Sequence, residues 1–170
     1  MSTAASSTSA VNSVGPGEGE GIWFNGALMN VKSPGSWADD AFSLVEVAME
    51  KGRATGLHSD PSEETFYVLE GDLLFHIDGA ERHASTGDTV GIPRGVPHAF
   101  MAVSELARFL VLNTPGTHDR FFRAGGHPAT DRDFANAPPP DLERTRAAAE
   151  EVGVQLMGPA PFAEVRLQSG

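Results

Sequence analysis

Two stretches in the middle of the sequence concentrate residues able to do chemistry. Gly56-Leu57-His58-Ser59-Asp60-Pro61-Ser62-Glu63-Glu64 runs into Thr65-Phe66-Tyr67-Val68-Leu69, and Gly87-Asp88-Thr89-Val90-Gly91-Ile92-Pro93-Arg94-Gly95-Val96-Pro97-His98 runs into Ala99-Phe100-Met101-Ala102. The chain contains no cysteine, so disulfides and thiolate chemistry are excluded, and any metal must be held by imidazole and carboxylate. His58 and Asp60 are two residues apart and share a face if they lie on a strand. Glu64 follows a proline-containing interval and can start the next strand, and His98 begins another apolar one. If these strands close a barrel, His58, Asp60, Glu64 and His98 can meet inside it.

The same parity places other side chains. Phe66 and Val68 go with Glu64, and Phe100 and Ala102 go with His98. If the polar groups point inward, these four line an apolar cavity around them, or else they are ordinary core. Tyr67 has the opposite parity and belongs outside the barrel or at a subunit contact. His76 alternates with Leu73, Phe75 and Ile77 and should face solvent; His83, His118 and His127 read as surface residues.

Short strands must position these groups. Residues 22–32, Phe42–Met49, Thr65–Leu69, Leu73–Asp78, Thr89–Ile92, Ala99–Val103 and Ala107–Leu112 alternate or are β-branched, with Gly and Pro turns between them. Strands at this spacing indicate a sandwich or barrel. After Pro115 the composition turns helical, over His118–Ala124 and Pro140–Val152. In the second segment Asp141 can cap, Gly153 stops the helix, and Leu142, Ala149 and Val152 form an apolar stripe. Phe121 and Phe122 should dock the first helix. The organisation expected is a tail over residues 1–20, a barrel over 21–115, and a helical extension over 116–170 packing on the barrel.

Composition narrows the function classes. Twelve basic residues face 23 acidic ones, for a formal charge of −11. Such a surface repels phosphate backbones and anionic lipid, which disfavours nucleic-acid and membrane-surface binding. No run of about 18 apolar residues is present to span a membrane. The first fourteen residues lack both a basic start and an apolar segment, so they read as a tail and not a signal peptide, and a cytoplasmic protein is expected.

The two polar stretches resemble the paired motifs of the cupin family. The first, His-x-His followed by Glu and Gly, is filled by His58, Asp60, Glu64 and Gly71, with Asp60 where the family usually has its second His. The second is filled by Gly87, Pro93, Gly95 and His98, with Ala102 in place of an Asn. The resemblance covers roughly residues 40–115. It implies an all-β double-stranded β-helix, or jelly-roll barrel, with short C-terminal helices, and a metal held by His58, Asp60, Glu64 and His98. Asn113-Thr114-Pro115-Gly116-Thr117, Arg120-Phe121-Phe122 and the late Val152-Gly153-Val154 … Gly158-Pro159 are similar to the tail of single-domain quercetin 2,3-dioxygenase-like cupins. Those enzymes use a divalent metal and dioxygen to open a flavonol.

The resemblance therefore implies one divalent metal ion and an aromatic or enolic small-molecule substrate. The departure at Asp60 makes the donor set harder, which favours iron(II), manganese or zinc over copper, with nickel open by resemblance. Either Asp60 or Glu64 could supply the carboxylate of a two-His, one-carboxylate triad, or Asp60 could be too short to reach. Glu64 is the expected base if apolar surroundings raise its pKa. Two other readings share the scaffold. One is a non-redox cyclase, isomerase or dehydratase of the polyketide type, and the other is a metal-free binding barrel. By analogy with other cupins a homodimer is expected, with Ile22-Trp23-Phe24 at the contact.

Overall fold

A computed structural model describes residues 11–162 of the chain. The first hairpin joins β1 (Glu20–Phe24) to β2 (Ala27–Ser33) through Asn25 and Gly26, both at positive φ. That is the two-residue turn whose twist suits a right-handed strand pair. The strands then follow as β3 (Ser43–Glu50), β4 (Leu57–Ser59), β5 (Glu63–Glu70), β6 (Asp72–Ile77), β7 (Ala80–Ser85), β8 (Thr89–Ile92), β9 (His98–Ala102) and β10 (Leu106–Thr114). Beyond them lie α1 (His118–Gly125), β11 (His127–Pro128), α2 (Leu142–Val152) and β12 (Gln155–Gly158).

The strands form two antiparallel sheets, in the orders β11-β1-β2-β3-β10-β5-β8 and β12-β4-β9-β6-β7. This is the all-β jelly roll that the motifs imply. Alternation decides what enters the space between the sheets. On β5, Glu64, Phe66 and Val68 are buried while Glu63, Thr65 and Tyr67 are exposed. On β10, Ala107, Phe109, Val111 and Asn113 are the buried set. The rings of Phe66, Phe75, Phe100 and Phe109 pack against one another at 5.1–6.0 Å, at edge-on and tilted angles. Every residue of β9 is buried, because its outer face, Ala99 and Met101, lies under Phe162.

The segment after β10 does more than add helices. It contributes a strand to an edge of each sheet, β11 on β1 and β12 on β4. Both strands are too short to show a period. The apolar stripe expected on α2 is shifted. Ala149 is buried and Val152 is partly buried against the core as expected, but Leu142 is 60% exposed, and Thr145 and Ala148 join the buried face, through which α2 meets α1. Asp141 caps α2 and Gly153 ends it at φ 83°. Ile22 and Trp23, expected at a subunit contact, are buried within the chain itself. They pair with β11, and the Trp23 ring meets Phe134 while its N–H donates to the Asp131 carbonyl. The described part of the expected tail is tied to β2 by Asn12, which donates to the Lys32 carbonyl, and by Lys32, which donates to the carbonyls of Gly15 and Glu18. Among the described residues no helix is long and apolar enough to cross a membrane.

Candidate metal centre

His58 on β4 and His98 on β9 are direct cross-strand partners. Residues opposite each other on paired strands point to one face, so the two imidazoles lie side by side, with ring centroids 4.3 Å apart. Each ring is oriented by the same local device. Nδ1 of His58 is 2.8 Å from the Gly56 carbonyl, and Nδ1 of His98 is 2.9 Å from the Val96 carbonyl, in each case two residues back. A carbonyl can only accept, so both Nδ1 atoms carry protons and donate; each ring in its neutral form presents its Nε2 lone pair to the site, and His98 when also protonated at Nε2 donates to Glu64.

Two carboxylates complete the cluster. Glu64 opens the buried face of β5, and its Oε2 stands 2.8 Å from Nε2 of His98. Asp60 lies just past β4, where its own carbonyl accepts from the Gly95 amide at 2.8 Å. That hydrogen bond ties the loop after β4 to the loop before β9, so the two halves of the site are pinned through backbone. Oδ2 of Asp60 is 3.4 Å from Nε2 of His58 and 3.6 Å from Nε2 of His98. One donor atom from each of His58, Asp60, Glu64 and His98 falls within 4.8 Å of the others.

This donor set fits a divalent ion. Ligand atoms about 2.1 Å from a common ion stand roughly 3.0–3.4 Å apart, close to the 3.4, 3.6 and 2.8 Å of the His58–Asp60, His98–Asp60 and His98–Glu64 pairs; the set as a whole spans up to 4.8 Å, so its widest pair must draw in for one ion to bind all four. Both oxygens of Asp60 are buried without a hydrogen-bond partner, and the buried Oε2 of Glu64 and Nε2 of His98 have only each other within reach. Buried polar atoms are rarely left so unless something else satisfies them. Among these residues Asp60, Glu64 and His98 are nearly closed to solvent, and His58 is the one open edge.

The electrostatics separate the two carboxylates. Burial and then the neighbouring Glu64 charge push Asp60 up to about 7. Burial also pulls Glu64 upward, but the His98 hydrogen bond and the nearby imidazoles outweigh it and leave the group at about 2. The raised value expected for Glu64 is thus found on Asp60, because Glu64 meets imidazole directly and Asp60 meets it at longer range. His58 is pushed down to about 4 by burial and then by His98. For His98, burial works downward, yet the bond to Glu64 prevails and its pKa is raised.

Phe66, Val68, Phe100 and Ala102 all point into the main core on the faces that carry the site. Phe100, at 8%, is the most exposed of them. Tyr67 points outward and is 43% exposed. His76 is half-buried under Phe162. Two residues near the centre lie outside the set of site residues expected from sequence. Asn113 lies opposite Glu64 on β10 and donates from Nδ2 to Oε1 at 3.0 Å. His118, expected at the surface, is 6% exposed, and its Nδ1 lies 3.4 Å from Oδ1 of Asp60. Asn113 continues the buried alternation of β10, a signal present in the sequence; nothing local marks His118.

Comparison with known proteins places this geometry in context. Residues 45–113 match the family described as "Cupin domain", a span that includes His58, Asp60, Glu64, His98 and Asn113. Quercetin 2,3-dioxygenase from Bacillus subtilis is 31% identical over 124 residues, 72% of this chain and 36% of the enzyme. Dimethylsulfoniopropionate lyase from Ruegeria pomeroyi is 35% identical over 66 residues, 38% of this chain and 33% of the lyase. The chain thus spans about a third of either relative. Among solved structures, a polyketide cyclase from Streptomyces resistomycificus aligns with TM-score 0.55 and 23% identity, over 62% of this chain and 80% of the cyclase. An RmlC-like cupin from Shewanella frigidimarina aligns with TM-score 0.55 and 19% identity, over 64% of this chain and 96% of its own. At these identities the likeness concerns the fold.

Proposed function

Because this chain belongs to the cupin superfamily, we propose that it is a metal-dependent, dioxygenase-like enzyme of the quercetinase kind, acting on an aromatic or enolic small molecule. The observation that carries this reading is the convergence of His58, Asp60, Glu64 and His98, with both oxygens of Asp60 buried and unpartnered. The 31% identity to a quercetin dioxygenase supports the choice of reaction class. A divalent ion (iron, manganese, nickel or zinc) would supply Lewis acidity and a template for substrate and dioxygen.

The chain's own residues supply the rest. His58 and His98 hold their Nε2 lone pairs in place through the Gly56 and Val96 carbonyls. Glu64 stays ionised beside His98 and serves as a ligand, and Asn113 fixes its second oxygen. The proton acceptor is better sought in Asp60. In the metal-free protein its affinity for a proton lies near neutrality, and Asp60 can take up the hydroxyl proton of an enol or phenol and later return it only while Oδ2 is off the ion and faces the substrate. For Glu64 to play that part it must first leave His98. Phe100 borders the site as the apolar contact for a planar substrate, with Phe66, Val68 and Ala102 behind it.

Elemental analysis of the purified protein, with His98→Ala as control, tests the metal. Oxygen uptake by iron-, nickel- and manganese-loaded protein across flavonols and other enols tests the reaction. Metal bound in the wild type alone, with substrate-dependent uptake, is the expected result; no uptake with any ion and substrate overturns the oxygenase reading. The second carboxylate favours a second reading, a non-redox cyclase, isomerase or dehydratase, in which Asp60 moves protons beside a polarised carbonyl. Stoichiometric zinc without oxygen uptake is its signature.

A further inference from the structure

Asp60 presents its two oxygens in different directions. Oδ2 faces the point where His58 and His98 converge, at 3.4 and 3.6 Å. Oδ1 faces Nδ1 of His118 at 3.4 Å. The side chain is 1% exposed, and both oxygens lack a hydrogen-bond partner, so His118 is the polar group placed to engage Oδ1.

His118 comes from outside the barrel and is held there firmly. It is the first residue of α1. Just before it, the Gly116 amide donates to the Asp40 carbonyl at 2.8 Å, and a side chain at Gly116 would overlap the Phe42 backbone. After it, the His118 ring meets Phe122 at 4.9 Å and Phe121 at 5.5 Å, both edge-on. Those two rings wedge against Phe24 of β1. The start of α1 is therefore fixed against the first hairpin, with the His118 ring between the Phe121 and Phe122 rings and Oδ1 of Asp60. At 3.4 Å the pair stands slightly beyond a formed N–H···O bond, a gap that a small rotation of either side chain closes.

We propose that His118 is the positioning residue for Asp60, taking Oδ1 and thereby turning Oδ2 toward the ion. The inference rests on the metal-site reading above. Its logic is that of carboxylate–histidine pairs around metal centres, where the outer partner orients the ligand and sets its basicity. Here the order is inverted, with imidazole outside and carboxylate inside. It gives the short Asp60 side chain a defined direction in a place where the two-motif pattern has an imidazole.

Two measurements test this separately. In metal-free protein, long-range ¹⁵N–¹H correlation of the histidine rings should find the proton of His118 on Nδ1, and Asp60→Ala should change that ring's tautomer balance. An unchanged His118 spectrum in Asp60→Ala overturns the pairing. In cobalt titrations followed by visible absorption, His118→Leu should weaken binding about 10–100-fold. His118→Asn, which places an amide N–H near the Nδ1 position, should recover most of that loss. In the Asp60→Ala background His118→Leu should cost nothing further. Wild-type affinity in His118→Leu, an equal loss in the Asp60→Ala background, or a cobalt spectrum that loses an imidazole ligand with His118→Leu each overturns the proposal. If the Leu variant does not melt cooperatively, the Asn variant and the ring spectra decide. Absence of cobalt binding in the wild type would sink the metal-site reading, while the ring spectra would still report on the His118–Asp60 pair.

Discussion

Asn113 and Glu64 are cross-strand partners, and the Asn113 amide donates to Oε1 of Glu64 at 3.0 Å, leaving Oε2 to face His98. A carboxylate at the inner face of a barrel is thus held at both oxygens by neighbours from two different sheets.

Asn113→Leu should therefore leave Oε1 buried and unpaired. A cost of about 1–3 kcal/mol in unfolding free energy is expected, together with a fall in metal affinity of about 10–100-fold. Urea unfolding and metal titration on the same preparation check both. Unchanged affinity would mean that Glu64 holds its place without Asn113.

Metal binding should raise thermal stability through the four ligands. At an ion concentration about 100 times the dissociation constant the gain is about 2.7 kcal/mol. His98→Ala, His58→Ala and Glu64→Ala should each abolish most of the rise in melting temperature seen on adding manganese or zinc to wild-type protein. A rise that persists in His98→Ala would place the ion elsewhere.

Metal uptake should depend on pH through Asp60. Its proton, held up to about 7, must leave before Oδ2 can bind an ion. The Asp60 part of the affinity should climb by up to about tenfold per pH unit approaching 7, over and above the rise from deprotonating His98, whose pKa is also raised, and Asp60→Asn should remove the Asp60 part of the slope. In metal-free protein the sign is opposite for folding. A carboxyl whose folded pKa lies above its unfolded value of 3.8 stabilises the fold at low pH, and that contribution is lost as pH rises through about 7. Melts of metal-free wild type against Asp60→Asn between pH 4 and 8 should show the wild type's relative advantage shrinking as pH rises. Glu64 acts the other way, adding stability above its unfolded value of 4.5 that is lost as pH falls toward about 2.

Phe66 and Phe100 should separate by readout. Phe66 is 1% exposed and packs against Phe75, Phe100 and Phe109, so Phe66→Ala should cost about 3–5 kcal/mol. Phe100→Leu keeps most of the volume and should cost less than about 1.5 kcal/mol, while raising KM for an aromatic substrate more than it lowers kcat. Equal effects on substrate binding from both variants would assign Phe100 to core packing alone.

Much of the site was legible because β-strand parity is a local property. Glu64 in phase with Phe66 and Val68, and His98 in phase with Phe100, follow from side chains alternating across a strand, whereas Asp60 lies past the end of β4 and is placed by the loop that its carbonyl ties to Gly95. Alternation also placed Tyr67 outside. Where period failed, so did the reading. The strands at residues 127–128 and 155–158 are too short to carry one, and Leu142 sits on an amphipathic helix whose buried face depends on where α1 lies.

The order of residues by itself determined which side chains can share a face, that imidazole and carboxylate are the available metal donors, and that a barrel carries them. Which carboxylate keeps its proton, which oxygen of Asp60 faces inward, and that His118 from a later helix stands against it were decided by tertiary packing alone. Burial, charge proximity and contact between distant segments are properties of three-dimensional neighbours, and no spacing along the chain encodes them.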